Sequence, residues 1–168
     1  MNRNTAIIAI ILSIIAAILG FLILPTQPPD SNVPNVPVPS AAKPDACALF
    51  TQTDAQQLLG ADAKEIESAG DSTIGKVDVT HCEYEGTAGT ASIFVRRTPS
   101  LGDARYIFEN SKKSFSGETV TPKEGEAEYW VSDLGQYNVL KGQHWIIVTV
   151  DKDKEKAKEV AGIVASRL

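Results

Sequence analysis

Residues 136–150, QYNVLKGQHWIIVTV, read as two strands around a tight turn. Tyr, Val, Leu, Trp, Ile and Thr dominate both arms, and Lys141-Gly142 supplies a two-residue connection. With that turn Leu140 pairs with Gln143, Val139 with His144, Asn138 with Trp145, Tyr137 with Ile146 and Gln136 with Ile147. One face then holds Tyr137, Val139, Ile146, Val148 and Val150, apolar enough to be a core. The other holds Gln136, Asn138, Trp145, Ile147 and Thr149. A hairpin with one buried face belongs to an antiparallel sheet that packs against helices.

Working back along the chain, Glu126–Val131 predicts a third strand beside this hairpin. Ser100-Leu-Gly-Asp103 has the form of a capping box, and Ala104, Ile107, Phe108, Ser111 and Phe115 line one side of the helix that follows, with Gly117 as its stop. Val77–Glu85 and Thr90–Arg97 are two strands around Gly86-Thr-Ala-Gly89. If Glu85 opposes Thr90, then Cys82, Tyr84, Ala91, Ile93 and Val95 face the helices, while His81, Glu83, Phe94 and Arg96 point the other way. Thr51-Gln-Thr-Asp54 is another capping box, with Ala55, Leu58 and Leu59 at helical spacing and Gly60 at the end. Residues 61–76 are polar and hold at most one short strand near Ala63–Ser68. At the C-terminus Ala157, Val160, Ala161, Val164 and Leu168 form the apolar stripe of a final helix. The order is α-β-β-α-β-β-β-α. It predicts an α+β two-layer sandwich: a mainly antiparallel sheet with its helices on one face.

The N-terminal part is of another kind. Residues 6–24, AIIAIILSIIAAILGFLIL, carry no charge, and as a helix they span roughly 28 Å. Residues 1–24 are therefore expected to be a signal anchor, a transmembrane helix that is not cleaved. Arg3 precedes the run and no Lys or Arg follows it before Lys43, so the N-terminus is expected in the cytoplasm. Residues 25–44 hold seven of the nine prolines and read as an extended linker. These readings divide the chain into an anchor (1–24), a linker (25–44) and an extracytoplasmic domain (45–168). They predict a single-pass protein of the cell membrane, with the membrane itself as one partner.

Charge and motifs restrict function. Formal net charge is −5, and residues 1–44 contribute only Arg3, Lys43 and Asp30, so the domain is more acidic still. That excludes the electrostatic footprint of a nucleic-acid binder. No GxSxG, GxxxxGK[ST], HExxH or GxGxxG pattern occurs, so no catalytic residue and no cofactor is assigned. Asp151-Lys-Asp153-Lys-Glu155 lacks the central glycine and the terminal glutamate of a calcium loop. Glu124, Glu126 and Glu128 alternate on a strand and read as a solvated face or an edge guard.

Two cysteines remain. An exported setting favours a Cys47–Cys82 disulfide that adds on the order of 3 kcal/mol. CxxC is absent, and His81 and Cys82 point to opposite faces of a strand, so no metal site is assigned. The candidate binding face is the helix-free side of the sheet, with His81, Phe94, Arg96, Trp145 and Ile147. The 61–76 segment is the alternative occupant of that side.

Cys47-Ala-Leu-Phe50, Thr53-Asp-Ala-Gln-Gln-Leu-Leu-Gly60 and His81-Cys-Glu-Tyr84 resemble motifs of small exported actinobacterial lipoprotein domains of unknown function. The resemblance covers the domain's first third, with weaker similarity over 133–150. It implies an α+β sandwich, the same disulfide and a binding or sensing role at the cell envelope. It lends no catalytic residue. This chain departs from the family in having an anchor where the family has a lipobox cysteine. The function expected is a membrane-anchored binding or sensor-like domain meeting an unknown envelope ligand or protein, with an envelope enzyme or an accessory subunit of an envelope complex as alternatives.

Overall fold

The computed structural model describes residues 43–168 except Gly75, and side chains are described there outside 69–75. Two short helices open the domain, α1 (Ala46–Leu49) and α2 (Gln52–Leu59). Then come β1 (Lys64–Ile74), β2 (Val77–Gly86), β3 (Gly89–Arg97), α3 (Leu101–Ser114), β4 (Glu118–Val120), β5 (Ala127–Val131), β6 (Gln136–Lys141), β7 (His144–Val150) and α4 (Lys154–Ser166). The strands form one sheet in the order β1-β2-β3-β7-β6-β5-β4, with every neighbouring pair antiparallel.

Local sequence explains the boundaries. Thr51 and Asp54 exchange side chain-to-backbone hydrogen bonds at the start of α2, so two orphan amides are satisfied at once. Gly60 ends that helix at φ +107°. Ser100 accepts from the Asp103 amide at the start of α3, and Asp153 accepts from two amides at the start of α4. Gly89 closes the β2–β3 turn at φ +127°. A Cβ there would lie 1.5 Å from the Asp151 carboxylate, which accepts from the Thr90 amide, so only glycine fits.

The first face of the sheet packs against α1, α2 and α4. Cys82, Tyr84, Ile93, Val95, Tyr137, Val139, Ile146 and Val148 meet Phe50, Leu59, Val160 and Val164 in one buried cluster. Cys47 and Cys82 are joined, with Cα atoms 5.2 Å apart, so α1 is bonded to the middle of β2. The Tyr84 hydroxyl donates to the Phe50 carbonyl at 2.9 Å. Burial, aided by the Glu65 charge, pushes that phenol up to about 12. The end of α4 is tied back as well: Arg167 donates to both Asp54 carboxylate oxygens and to the Leu49 carbonyl.

Three expectations are corrected. The helices do not gather on one face. Helix α3 lies on the second face, where Ala104 and Phe108 meet Tyr129, Val131, Leu140, Trp145 and Ile147 in a separate core cluster. The sheet is therefore covered on both sides, and its second face is not free of helix. A capping box and an apolar stripe predict that a helix forms; they do not say to which side its connection turns. Second, residues 64–74 are not a short strand or a cover but a long edge strand paired with β2. Third, the single-pass membrane topology, with the membrane as partner and the cell membrane as location, is withdrawn. Among the described residues no helix is long and apolar enough to cross a membrane. The anchor expected at residues 1–24, and the linker up to residue 42, lie outside the described residues.

The β6–β7 register also differs from the sequence reading. Lys141 pairs with His144, Leu140 with Trp145 and Val139 with Ile146, around a turn at Gly142-Gln143. The shift is two residues, one full period of a strand, so every side chain keeps the face expected for it. The β2–β3 register has Glu85 opposite Thr90, with Thr87-Ala88 as the turn.

Candidate functional site

Three neighbouring strands carry all five residues of the candidate face. His81 on β2 pairs with Phe94 on β3, and Phe94 pairs with Ile147 on β7. These three form one cross-strand row. The adjacent row places Arg96 opposite Trp145. The rings of His81 and Phe94 stack with centroids 4.0 Å apart and 13° between planes. The Arg96 guanidinium carbon lies 4.6 Å from the centre of the Trp145 ring.

Exposure separates them. Trp145 and Ile147 are 5% and 7% exposed under α3. Phe108 of α3 meets the Trp145 ring edge-on at 6.3 Å and the Tyr129 ring at 4.8 Å. The Trp145 indole N–H donates to the Asn138 side-chain oxygen at 3.0 Å, so its one polar group is satisfied internally. Trp145 is a core residue with an edge against Arg96. Phe94 and Arg96 are half-buried, and His81 is at 9%. The accessible part of the face is thus a strip beside α3: Arg96, Phe94, the rim of His81, and then Ser92 and Glu83.

Ser92 joins this strip through the hairpin register, because it pairs with Glu83. The His81 Nε2 and the Ser92 hydroxyl share a hydrogen bond of 3.0 Å. The same Nε2 lies 3.8 Å from Glu83. A serine nucleophile with a histidine base needs its orienting acid on the opposite ring nitrogen. Here hydroxyl and carboxylate approach one nitrogen, so the trio lacks triad geometry. The second histidine is remote from this chemistry. His144 pairs with Arg97 and Lys141 at the far end of β7. Its pKa is lowered by burial and by the neighbouring Arg97 charge.

Among the described residues, three potential metal donors gather at Cys47, Glu65 and Cys82. Both sulfurs are spent in the disulfide and offer no thiolate.

Glu128 overturns the reading of the acidic alternation 124-126-128 as a solvated face. It is 2% exposed. One carboxylate oxygen accepts from the amides of Lys123, Glu124 and Gly125, and the other from the Tyr137 hydroxyl at 2.5 Å. Burial raises its pKa, but these four hydrogen bonds outweigh burial and the net shift is downward. Tyr137 is pushed up, by burial first and by Glu128 second. The group holds the 123–125 turn and is structural. Its only sequence signal was that Glu128 shares a strand face with Trp130, an apolar neighbour at i+2.

No family model, curated protein or solved structure matches the chain.

Proposed function

We propose that this domain is a binding module without catalytic activity, and that its ligand seats on the strip between α3 and β2. What supports the reading is one observation: half-buried Phe94 and Arg96 stand side by side with the rim of His81, each backed by a ring that fixes it. Side chains locked by packing are preorganised for binding and lose little entropy when a ligand arrives. Aromatic and arginine groups are the residue types that carry most binding energy at such surfaces. The Cys47–Cys82 disulfide fits an oxidising, extracytoplasmic compartment, so ligands met there are the ones to screen.

The test is a fragment screen on the full chain by NMR. Shifted resonances are expected to cluster on Ser92, Phe94, Arg96 and His81. Hits that gather elsewhere, or none across a diverse set, would overturn the reading. The Ser92–His81 pair favours one rival, an acyl-transfer enzyme. A fluorophosphonate probe is expected to leave Ser92 unlabelled, and stoichiometric labelling would make the rival the better account.

A further inference from the structure

Four arginines lie among the described residues, Arg96, Arg97, Arg105 and Arg167. Three face carboxylates. Arg97 reaches Asp78 at 2.7 Å, Arg105 reaches Glu126 at 3.5 Å and Arg167 reaches Asp54 at 2.5 Å. Arg96 differs. It makes no ion pair and no hydrogen bond among the described residues, and its Nε is buried without a partner. What holds it is the Trp145 ring at 4.6 Å.

A half-buried guanidinium with its Nε shielded from water and no carboxylate beside it is an unusual element in a native fold. Arginine stays protonated even where burial works against its charge. Stacking on an indole offsets part of the lost hydration but leaves the N–H edge without a protein acceptor. That edge is a rigid fork whose spacing matches carboxylate and phosphate oxygens. Partial burial makes an incoming counter-charge worth more than it would be in open solvent. Phe94 lies two residues from Arg96 on the same strand face, so the two side chains are about 7 Å apart along the strand. Glu83, toward the other end of the strip, disfavours a second anionic group there.

We infer that Arg96 anchors an oxyanion site, taking the carboxylate or phosphate of a small ligand whose flat or apolar body lies on Phe94. The inference rests on the binding-face reading above and adds the ligand's chemical class. Trp145 holds the fork in position through its ring, and Asn138 holds Trp145 through the indole N–H.

The experiment titrates the full chain with benzoate, with its neutral isostere benzamide and with inorganic phosphate. The readout is the Trp145 indole N–H together with the Phe94 and His81 resonances. Benzoate is expected to bind saturably, about tenfold or more tighter than benzamide, in line with one charge-assisted bidentate contact. Arg96→Met is expected to remove that advantage and leave weak benzamide shifts in place, while Arg96→Lys keeps only part of it. Phosphate shifting the Trp145 indole by itself would identify a phosphate-bearing ligand; benzoate alone acting would identify a carboxylate on an aromatic body. Equal affinities for benzoate and benzamide, still centred on Phe94 and His81, would overturn the oxyanion site and leave the binding face standing. Absence of shifts with all three probes would remove both. If Arg96→Met does not fold, the benzoate–benzamide comparison on the wild type and the Arg96→Lys titration decide the matter unaided.

Discussion

Glu128 shows how one residue can hold a stretch that has no regular structure. Residues 123–125 form a turn whose three amides all point at one carboxylate oxygen. Without that acceptor the buried Tyr137 hydroxyl would be left unpaired and the three part-buried amides would lose their partner, at about 1–3 kcal/mol for each group that water cannot reach. Glu128→Ala is therefore expected to destabilise the domain by about 2–4 kcal/mol, read as a lower urea midpoint with unchanged slope. The pH dependence has a definite sign. The folded-state pKa lies below the ordinary glutamate value of about 4.3, so the unfolded chain binds the proton more readily. The stabilisation is fully present above that ordinary value and is lost as pH falls through the depressed folded one. The gap between wild type and Glu128→Gln should be constant from neutral pH down to the ordinary glutamate range and then narrow as pH falls further. A gap that widened on acidification would show that Glu128 is protonated in the native state.

At the scale of elements, the sequence spoke clearly where a pattern is local and not where a choice of side is global. Thr51-Asp54 and Ser100-Asp103 marked helix starts, because a cap is chemistry within four residues. The alternation along β2, β3, β6 and β7 assigned each side chain to its face, and a two-residue slip in the last hairpin did no harm. Helix α3 lies on the face opposite the one its sequence suggests because its apolar stripe fits either face, and the second face offers an apolar patch where Tyr129, Val131, Leu140, Trp145 and Ile147 converge. Consecutive pairing of β5, β6 and β7 brings those side chains together, but no local pattern encodes on which side of them the α3 connection turns. The candidate strip was legible for the same reason as the faces, and Ser92 was derivable from the Glu83 register. That Arg96 is the one arginine among the described residues without a carboxylate was not legible, since ion pairs join elements far apart in sequence. Arg167 and Asp54 illustrate the point at a separation of 113 residues. Their pairing clamps the end of α4 to the start of α2 and depresses the Asp54 pKa, the Arg167 hydrogen bond being the largest cause. The pair is partly exposed, so a double-mutant cycle of Arg167→Ala and Asp54→Ala should give a coupling of only about 0.5–1 kcal/mol. Asp54→Ala alone should cost more than Arg167→Ala, because it also removes the capping box. Equal single-mutant losses would show that the box contributes nothing.

For the molecule as a whole, the disulfide decides how the N-terminal helices belong to the fold. α1 has four residues and α2 eight, each too short to be stable alone. They stay because Phe50 and Leu59 are buried against the sheet, and because Cys47 is bonded to Cys82 at the centre of β2. The bond closes a span of 35 residues that runs from within α1 through α2 and β1, the long edge strand. On the chain-entropy account such a loop contributes about 3–4 kcal/mol by restricting the unfolded state. Two consequences can be separated. Replacing both cysteines by alanine should lower global stability by about that amount in urea unfolding, with the sheet and α4 still formed. In the same variant, amide exchange should accelerate first and most over residues 46–59 and the paired amides of β1, because that is the segment the bond retains. Uniform acceleration across β6, β7 and α4 would mean that the bond acts only through the unfolded chain and not as a local staple. The candidate strip runs along β2 and β3, one strand inward from β1, with its anchor Arg96 on β3 opposite Trp145. Loosening β1 should therefore leave the Trp145 indole resonance unchanged while Ala69, the β1 partner of His81, loses protection.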